Sequence, residues 1–289
     1  MFENSHTLFR PPAEADSLIL RVADGCPWNG CTFCGMYKGV PYKFHGAEHA
    51  EKEFAKAAKR WPEARRIFLA DGDVMNLAFP TLETMLASLN EKFRHLARVS
   101  IYANGASILA KTDAELRRLK ELKLHTLYMG LESGDNETLR TVNKRESAEE
   151  MIEAGLRAQA AGLRMSVMVL IGLAGKQRSP EHARATAEAV NKMQPRLLSA
   201  LRLVTTPNTS LYHSGFKMIT EYDAVAELRE MIQGLELEQT VFRADHSSNI
   251  VPLEARFPKD KERLLAQLAA LLASGHLDKK SPGRLPWSL

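Results

Sequence analysis

No apolar run in this chain reaches the ~20 residues that a membrane span needs, so no segment is expected to cross a bilayer. Aromatic residues are only 7% of the total, too few for a nucleic-acid stacking platform. A basic stripe is missing too. The cationic pairs Arg65-Arg66, Arg117-Arg118 and Lys279-Lys280 are scattered, so nucleic acid is disfavoured as a partner. With a net charge of +4 the chain reads as a mildly basic enzyme. Its first residues, Met-Phe-Glu-Asn-Ser-His, lack the basic and apolar regions of a signal peptide. A cytoplasmic location is therefore expected, where thiols stay reduced. Neither a linker, a low-complexity segment nor a long-period repeat interrupts the 289 residues, a length that suits one large α/β domain as easily as two small ones.

Cysteine is the scarcest informative residue. The chain has three, Cys26, Cys31 and Cys34, all in the loop Asp24-Gly-Cys-Pro-Trp-Asn-Gly-Cys-Thr-Phe-Cys-Gly35. An odd count with no secretory segment argues against disulfides. Thiolates gathered on one short loop are a metal-binding arrangement. A [4Fe–4S] cluster normally takes four cysteines, so three would leave one iron with an open position, where catalytic metals do chemistry. Two plainer readings stand beside this one. His45 could complete a closed Cys₃His zinc site, or the thiols could simply be buried.

Strand-like and helical stretches alternate along the chain. Strands are expected at 17–22, 66–70, 99–102, 125–131, 164–171, 196–204 and 240–244. Helices are expected at 48–61, 80–95, 112–122, 147–161, 180–193, 221–235 and 259–273. Thr112 with Glu115 and Ser147 with Glu150 read as capping boxes. Apolar strands separated by helices indicate a parallel sheet covered by helices. Six or seven βα units point to a full or partial (β/α) barrel, in which active-site residues follow the C-terminal strand ends. The cysteine loop sits at that place after the first strand. Later strands end in Asp71-Gly-Asp73, Asn104-Gly105, Glu132-Ser133, Gly172-Leu-Ala-Gly175, Thr205-Thr206 and Asp245-His-Ser-Ser-Asn249. Each alone reads as a turn; together, in register with three thiols, they read as one pocket.

On these residues the chain resembles the radical S-adenosylmethionine (radical SAM) superfamily, over residues 17–210. In that family a loop of the form Cys-x₃-Cys-x-aromatic-Cys after the first barrel strand holds a [4Fe–4S] cluster. Cys31-Thr-Phe-Cys34 keeps the second half with Phe33, while the first gap, Pro27 to Gly30, is one residue longer. The resemblance implies a partial (β/α)6–7 barrel with a short C-terminal helical extension. It implies metal ligation by Cys26, Cys31 and Cys34, and cofactor contacts from Phe33, Gly72, Asp73, Asn104, Glu132, Ser133, Lys144, Met168 and Gly172. Gly72 and Asp73 fall where the methionyl amine is received, Glu132 and Ser133 where ribose hydroxyls and carboxylate are touched. Lys144 falls where a basic residue meets that carboxylate, and Met168 and Gly172 on the adenine-binding strand. The Leu-Glu-Ser-Gly and Val-Asn-Lys segments are similar to the oxygen-independent coproporphyrinogen oxidase-like and elongator-like branches.

The implied chemistry is reductive cleavage of S-adenosylmethionine to a 5′-deoxyadenosyl radical that takes hydrogen from a substrate, with an electron donor such as flavodoxin or ferredoxin. With every cysteine used, a second cysteine-ligated cluster is excluded. Arg243, His246 and Asn249 are expected to contact the substrate, a small, polar, anionic metabolite, under a lid formed by the segment after the last strand. Trp28, Tyr37, Lys38 and Tyr102 are further candidates to face it. The expected organisation is an N-terminal extension (1–16), a core barrel (17–210), a C-terminal extension (211–275) and a mobile tail (276–289). The alternatives are a zinc-stabilised α/β binding module and a radical SAM enzyme that modifies RNA or another macromolecule.

Overall fold

The computed structural model of the protein describes residues 7–285. The strands are β1 (Leu18–Arg21), β2 (Ala23–Asp24), β3 (Lys43–Phe44), β4 (Arg66–Ala70), β5 (Arg98–Tyr102), β6 (Leu124–Glu132), β7 (Arg164–Ile171), β8 (Leu197–Arg202), β9 (Val241–Ala244) and β10 (Leu253–Arg256). The helices are α1 (Ala47–Arg60), α2 (Phe79–Lys92), α3 (Gly105–Leu109), α4 (Asp113–Glu121), α5 (Asn136–Thr141), α6 (Ala148–Ala160), α7 (Ser179–Met193), α8 (Ser210–His213), α9 (Glu221–Gly234) and α10 (Lys261–Ala273). Eight of the strands form a mostly parallel sheet that begins at β1 and ends at β10, so the barrel is partial and open. By its contacts the chain divides into two compact units.

The first unit comprises residues 7–29, 34–129 and 154–165. Its strands run β1-β4-β5-β6, all parallel, with Leu18 opposite Ile67 and Ile67 opposite Val99. Ile67, Phe68, Leu69 and Ala70 are all buried, as expected for a strand covered on both faces. α1 turns Ala50, Phe54 and Ala57 inward at helical spacing and packs on α2. Trp61, which the same spacing puts on that face, lies outside, with the Arg60 guanidinium 4.8 Å from its ring centre. The capping box at Thr112 is made in both directions, Glu115 N–H to Thr112 Oγ1 and Thr112 N–H to Glu115 Oε2. The short hairpin of β2 with β3 was not legible in the sequence.

The second unit comprises residues 30–33, 130–153 and 166–285. β7, β8 and β9 are parallel neighbours, and α7, α9 and α10 pack in succession. One expectation is corrected here. The strand at 241–244 is not the last: β10 pairs antiparallel with it, Glu254 opposite Arg243, so the segment between them is a connection inside the sheet rather than a free lid. Over 276–285 the tail, expected to be mobile, meets the start of α9. The first amides of α9 need acceptors, and the tail supplies them: Glu221 N–H donates to Ser281 O and Tyr222 N–H to Asp278 O, both at 3.1 Å. Arg202 Nη2 donates to Pro282 O at 2.7 Å, and Leu277 is buried. Residues 286–289 of that tail, and 1–6 of the N-terminal extension, lie outside the described residues.

Candidate cofactor and substrate site

In the first unit the cysteine loop is fastened by backbone. Gly72, just past β4, donates its N–H to Gly25 O at 3.0 Å, and a Cβ on Gly72 would lie 2.5 Å from that oxygen and 2.8 Å from Cys26 Cα. Only glycine allows this approach. Asn29 Nδ2 donates to Tyr37 O and Lys38 Nζ to Asn29 O, each at 2.7 Å. Cys26 and Cys34 are half-buried and in no disulfide. Asp71 is fully buried at φ +83° with Arg21 Nε 3.4 Å from its carboxylate. Burial, and then Asp71, push the Tyr37 and Tyr102 hydroxyls well above the usual phenol range. Asp73 Oδ2 accepts from Asn104 Nδ2 at 3.0 Å and from Ser107 Oγ. Lys111, buried beside them, donates to Met75 O; burial lowers its pKa and Asp73 opposes the shift. Ser107 and Lys111 escaped the sequence reading. Their signal is a helical one, three and seven residues beyond Asn104.

In the second unit Thr32 N–H donates to Val142 O, Leu211 N–H to Thr32 O and Asn143 Nδ2 to Gly30 O, all at 2.9 Å, holding the half-buried Cys31 from both sides. Phe33 packs on Val142, Leu173, Leu203 and Leu211. Glu132 ends β6 at φ +63°, with Lys144 Nζ 3.8 Å away. Desolvation raises its pKa, Lys144 pulls it back and Glu146 adds to the rise. Gly172 follows β7 at φ +87°, and Met168 is half-buried within that strand. Non-glycine residues with left-handed backbone, as at Asp71 and Glu132, are uncommon and gather at functional sites.

A comparison with family models matches residues 20–188 to the radical SAM superfamily, more than half of the chain. The chain belongs to that family. Radical SAM proteins are enzymes that bind a [4Fe–4S] cluster and S-adenosylmethionine. Solved structures with the same fold include coproporphyrinogen III oxidase (HemN) from Escherichia coli, with TM-score 0.59 and 19% identity over 75% of this chain and 51% of that one. The hydrogenase maturase HydG from Carboxydothermus hydrogenoformans gives TM-score 0.54 and 21% identity over 87% and 56%. The methyltransferase TsrM from Kitasatospora setae, solved with cobalamin and a [4Fe–4S] cluster, gives 0.55 and 15% over 81% and 43%. This chain thus spans about half the length of these relatives. No curated protein sequence matches it. Among the described residues no helix is long and apolar enough to cross a membrane.

The residues fit the cofactors of a radical SAM protein. Three soft thiols are the donor set that iron–sulfur clusters favour, and the glycine at Gly72 brings the end of β4 against the cysteine loop. Among the described residues no group of three or more His, Cys, Asp or Glu side chains is placed to hold a metal ion. A cluster, unlike zinc, spreads its thiolates over separate irons. His45, the fourth ligand of the zinc alternative, has Nε2 2.8 Å from Asp24.

Three of the residues expected to make contacts also have partners within the chain. Ser133 is fully buried; its Oγ binds His182 Nδ1 at 2.7 Å and accepts from Asp135 N–H. Arg243 is paired with Asp245 and with Glu254 of β10, which leaves its charge already answered. Asn249 gives its side-chain N–H to Ala200 O at 2.9 Å and pins the loop to β8. His246 is different. Ser248 N–H donates to its Nδ1, which places the ring proton on Nε2, and the ring is half-buried. Burial lowers its pKa, with Asp245 opposing, so the imidazole is neutral at pH 7.

Proposed function

We propose that Cys26, Cys31 and Cys34 ligate one [4Fe–4S] cluster, and that the chain uses it with S-adenosylmethionine to take hydrogen from a small polar metabolite. The observation that carries this reading is the loop holding every cysteine of the chain, placed after β1 and tied to the end of β4 through Gly72. When bound, the two cofactors supply one-electron reductive cleavage of a carbon–sulfur bond, yielding methionine and a 5′-deoxyadenosyl radical.

The chain's part is to bind, orient and exclude water. Phe33, Gly72, Asp73 and Asn104 receive the methionyl end, with Ser107 and Lys111 keeping the Asp73 carboxylate in place. Glu132 takes the ribose side with Lys144 as its charge partner, and Met168 and Gly172 border the adenine. His246 presents Nε2–H to the substrate from a loop that Ser248 and Asn249 hold to β8. An anionic substrate rested on Arg243; with that guanidinium paired to two carboxylates, a neutral polar metabolite suits the site as well. A soluble one-electron donor such as flavodoxin or ferredoxin, in the cytoplasm, completes the reading.

The test is anaerobic reconstitution followed by dithionite reduction and analysis of products. Methionine and 5′-deoxyadenosine are expected, slowly without substrate. An intact, reducible cluster that yields neither product would overturn this route.

A further inference from the structure

We propose that His182, Thr186 and Glu227 are positioning residues that fix the strand-end turns at Glu132-Ser133-Gly134 and Gly172 for S-adenosylmethionine. The proposal rests on the functional reading above. It concerns three polar side chains that the sequence reading passed over, all within the second unit and all buried.

They are linked by a continuous run of hydrogen bonds. Asp135 N–H donates to Ser133 Oγ, and the Ser133 hydroxyl donates to His182 Nδ1. With Nδ1 accepting, the ring proton lies on Nε2, 3.1 Å from Leu170 O and 3.4 Å from Glu227 Oε1. Glu227 Oε1 accepts from Gly172 N–H at 2.7 Å, and Oε2 accepts from Ser179 Oγ. One helical turn beyond His182, Thr186 Oγ1 accepts from Gly134 N–H at 3.0 Å. Between them Gly134 presses on α7 so closely that a Cβ would lie 2.1 Å from Ala185 O. Thus α7 grips the turn after β6 and α9 grips the turn after β7, with His182 joining the two.

Packing alone does not call for this. Apolar side chains of similar volume fill such a space without the cost of burying polar groups, whereas a fully satisfied polar network fixes one geometry. Geometry is what these turns need. Glu132 at φ +63° holds a backbone conformation that lasts only when its surroundings over-determine it, and Gly172 at φ +87° has the freedom of glycine, so its turn too must be fixed from outside. His182, Thr186 and Glu227 act through those two residues.

The experiment uses the reconstituted, cluster-loaded protein and measures its S-adenosylmethionine dissociation constant, with iron content and unfolding midpoint measured alongside. Glu227→Leu should weaken binding by about tenfold or more, the usual scale for supporting contacts, at unchanged iron content. Glu227→Gln, whose amide oxygen still accepts from Gly172 N–H, should stay within about twofold of the parent. Burial raises the Glu227 pKa to about 7, with Glu230 and Asp223 adding to the rise and the Ser179 and Gly172 hydrogen bonds opposing it. His182, neutral with its pKa lowered to about 4 by burial, faces it as a donor, and Asp135 lies beyond the ring. Every hydrogen bond the Glu227 carboxylate receives comes from a donor, so affinity should tighten as pH rises through 7 and should not in Glu227→Gln. If Glu227→Leu fails to fold, Thr186→Val carries the test with a loss of about threefold. A folded, cluster-loaded Glu227→Leu or Thr186→Val with parental affinity overturns the proposal. Failure of the unmodified, cluster-loaded protein to bind S-adenosylmethionine would instead sink the functional reading, and is seen before any variant is made.

Discussion

Asp71 in the first unit and Glu132 in the second end equivalent strands, and both take left-handed backbone, yet they are held by different means. Around Asp71 the fastening is ionic: a buried carboxylate against the buried Arg21 guanidinium, with Asp73 bound to Asn104 and Ser107 one strand end away. Glu132 has an ion pair of its own with Lys144, but the turn that follows it is held by neutral donors and acceptors, Ser133, His182 and Thr186, with Glu227 behind them. An ion pair in a low dielectric holds tightly but punishes the loss of either partner. A hydrogen-bonded network of titratable groups holds as firmly only over a range of pH. The first unit should therefore respond to substitution, and the second to acidity.

Substitutions at close backbone approaches should break the comparison most severely. Gly72→Ala would drive a methyl into Gly25 O and Cys26 Cα. Overpacking of this kind costs about 1–3 kcal/mol, and here the displaced element is the cysteine loop. The variant should reconstitute with little iron, as read by iron and sulfide analysis per chain. Asp71→Asn comes next. Stripping a buried guanidinium of its carboxylate costs about 3–5 kcal/mol, so its denaturant midpoint should fall sharply, while Glu227→Gln, which removes a buried titrating group, should not lower the midpoint at pH 7.

The pH response sharpens the contrast. The folded pKa of His182 is about 4, below its ordinary 6.5, so the unfolded chain binds the proton first and stability is lost as pH falls from 6.5 through 4. The folded pKa of Glu227 is about 7, above its ordinary 4.5, so stability is lost as pH rises from 4.5 through 7. Unfolding midpoints measured from pH 4 to 8 should show both limbs, and Glu227→Gln should abolish the alkaline one. Should that limb persist unchanged in the variant, Glu227 is not its source.

The smallest effects are expected at the surface. Arg243→Ala breaks two exposed ion pairs and should cost under about 1 kcal/mol, with substrate-dependent formation of 5′-deoxyadenosine unchanged. His246→Ala should remove that substrate dependence and spare the slow background. A large loss of substrate dependence in Arg243→Ala would restore Arg243 to the substrate site.

What could be read from the residues follows how local the cause is. β4 and β7 have the predicted bounds because an arginine opens each apolar run and a polar or glycine turn closes it. The Thr112 cap needs only Glu115, three residues on. β10 was invisible because Leu-Glu-Ala-Arg is four residues of alternating burial inside a polar stretch. The partner of Ser133 was hidden for the opposite reason. The serine's Leu-Glu-Ser-Gly context pointed to a cofactor, whereas its partner His182 lies 49 residues on, on a helix whose register alone does not say what it faces. Glu227 is further away still and looks like an ordinary residue of an amphipathic helix. Polar groups buried by tertiary packing leave no local mark.

The central claim is that three cysteines hold one cluster at which S-adenosylmethionine binds. Electron paramagnetic resonance of the dithionite-reduced protein, before and after adding S-adenosylmethionine, tests it most directly. A single reduced-cluster signal is expected, shifting on addition and absent from the Cys→Ala variant at position 26, 31 or 34. A reconstituted protein that stays colourless and silent, or a cluster signal that S-adenosylmethionine leaves unmoved, would contradict it.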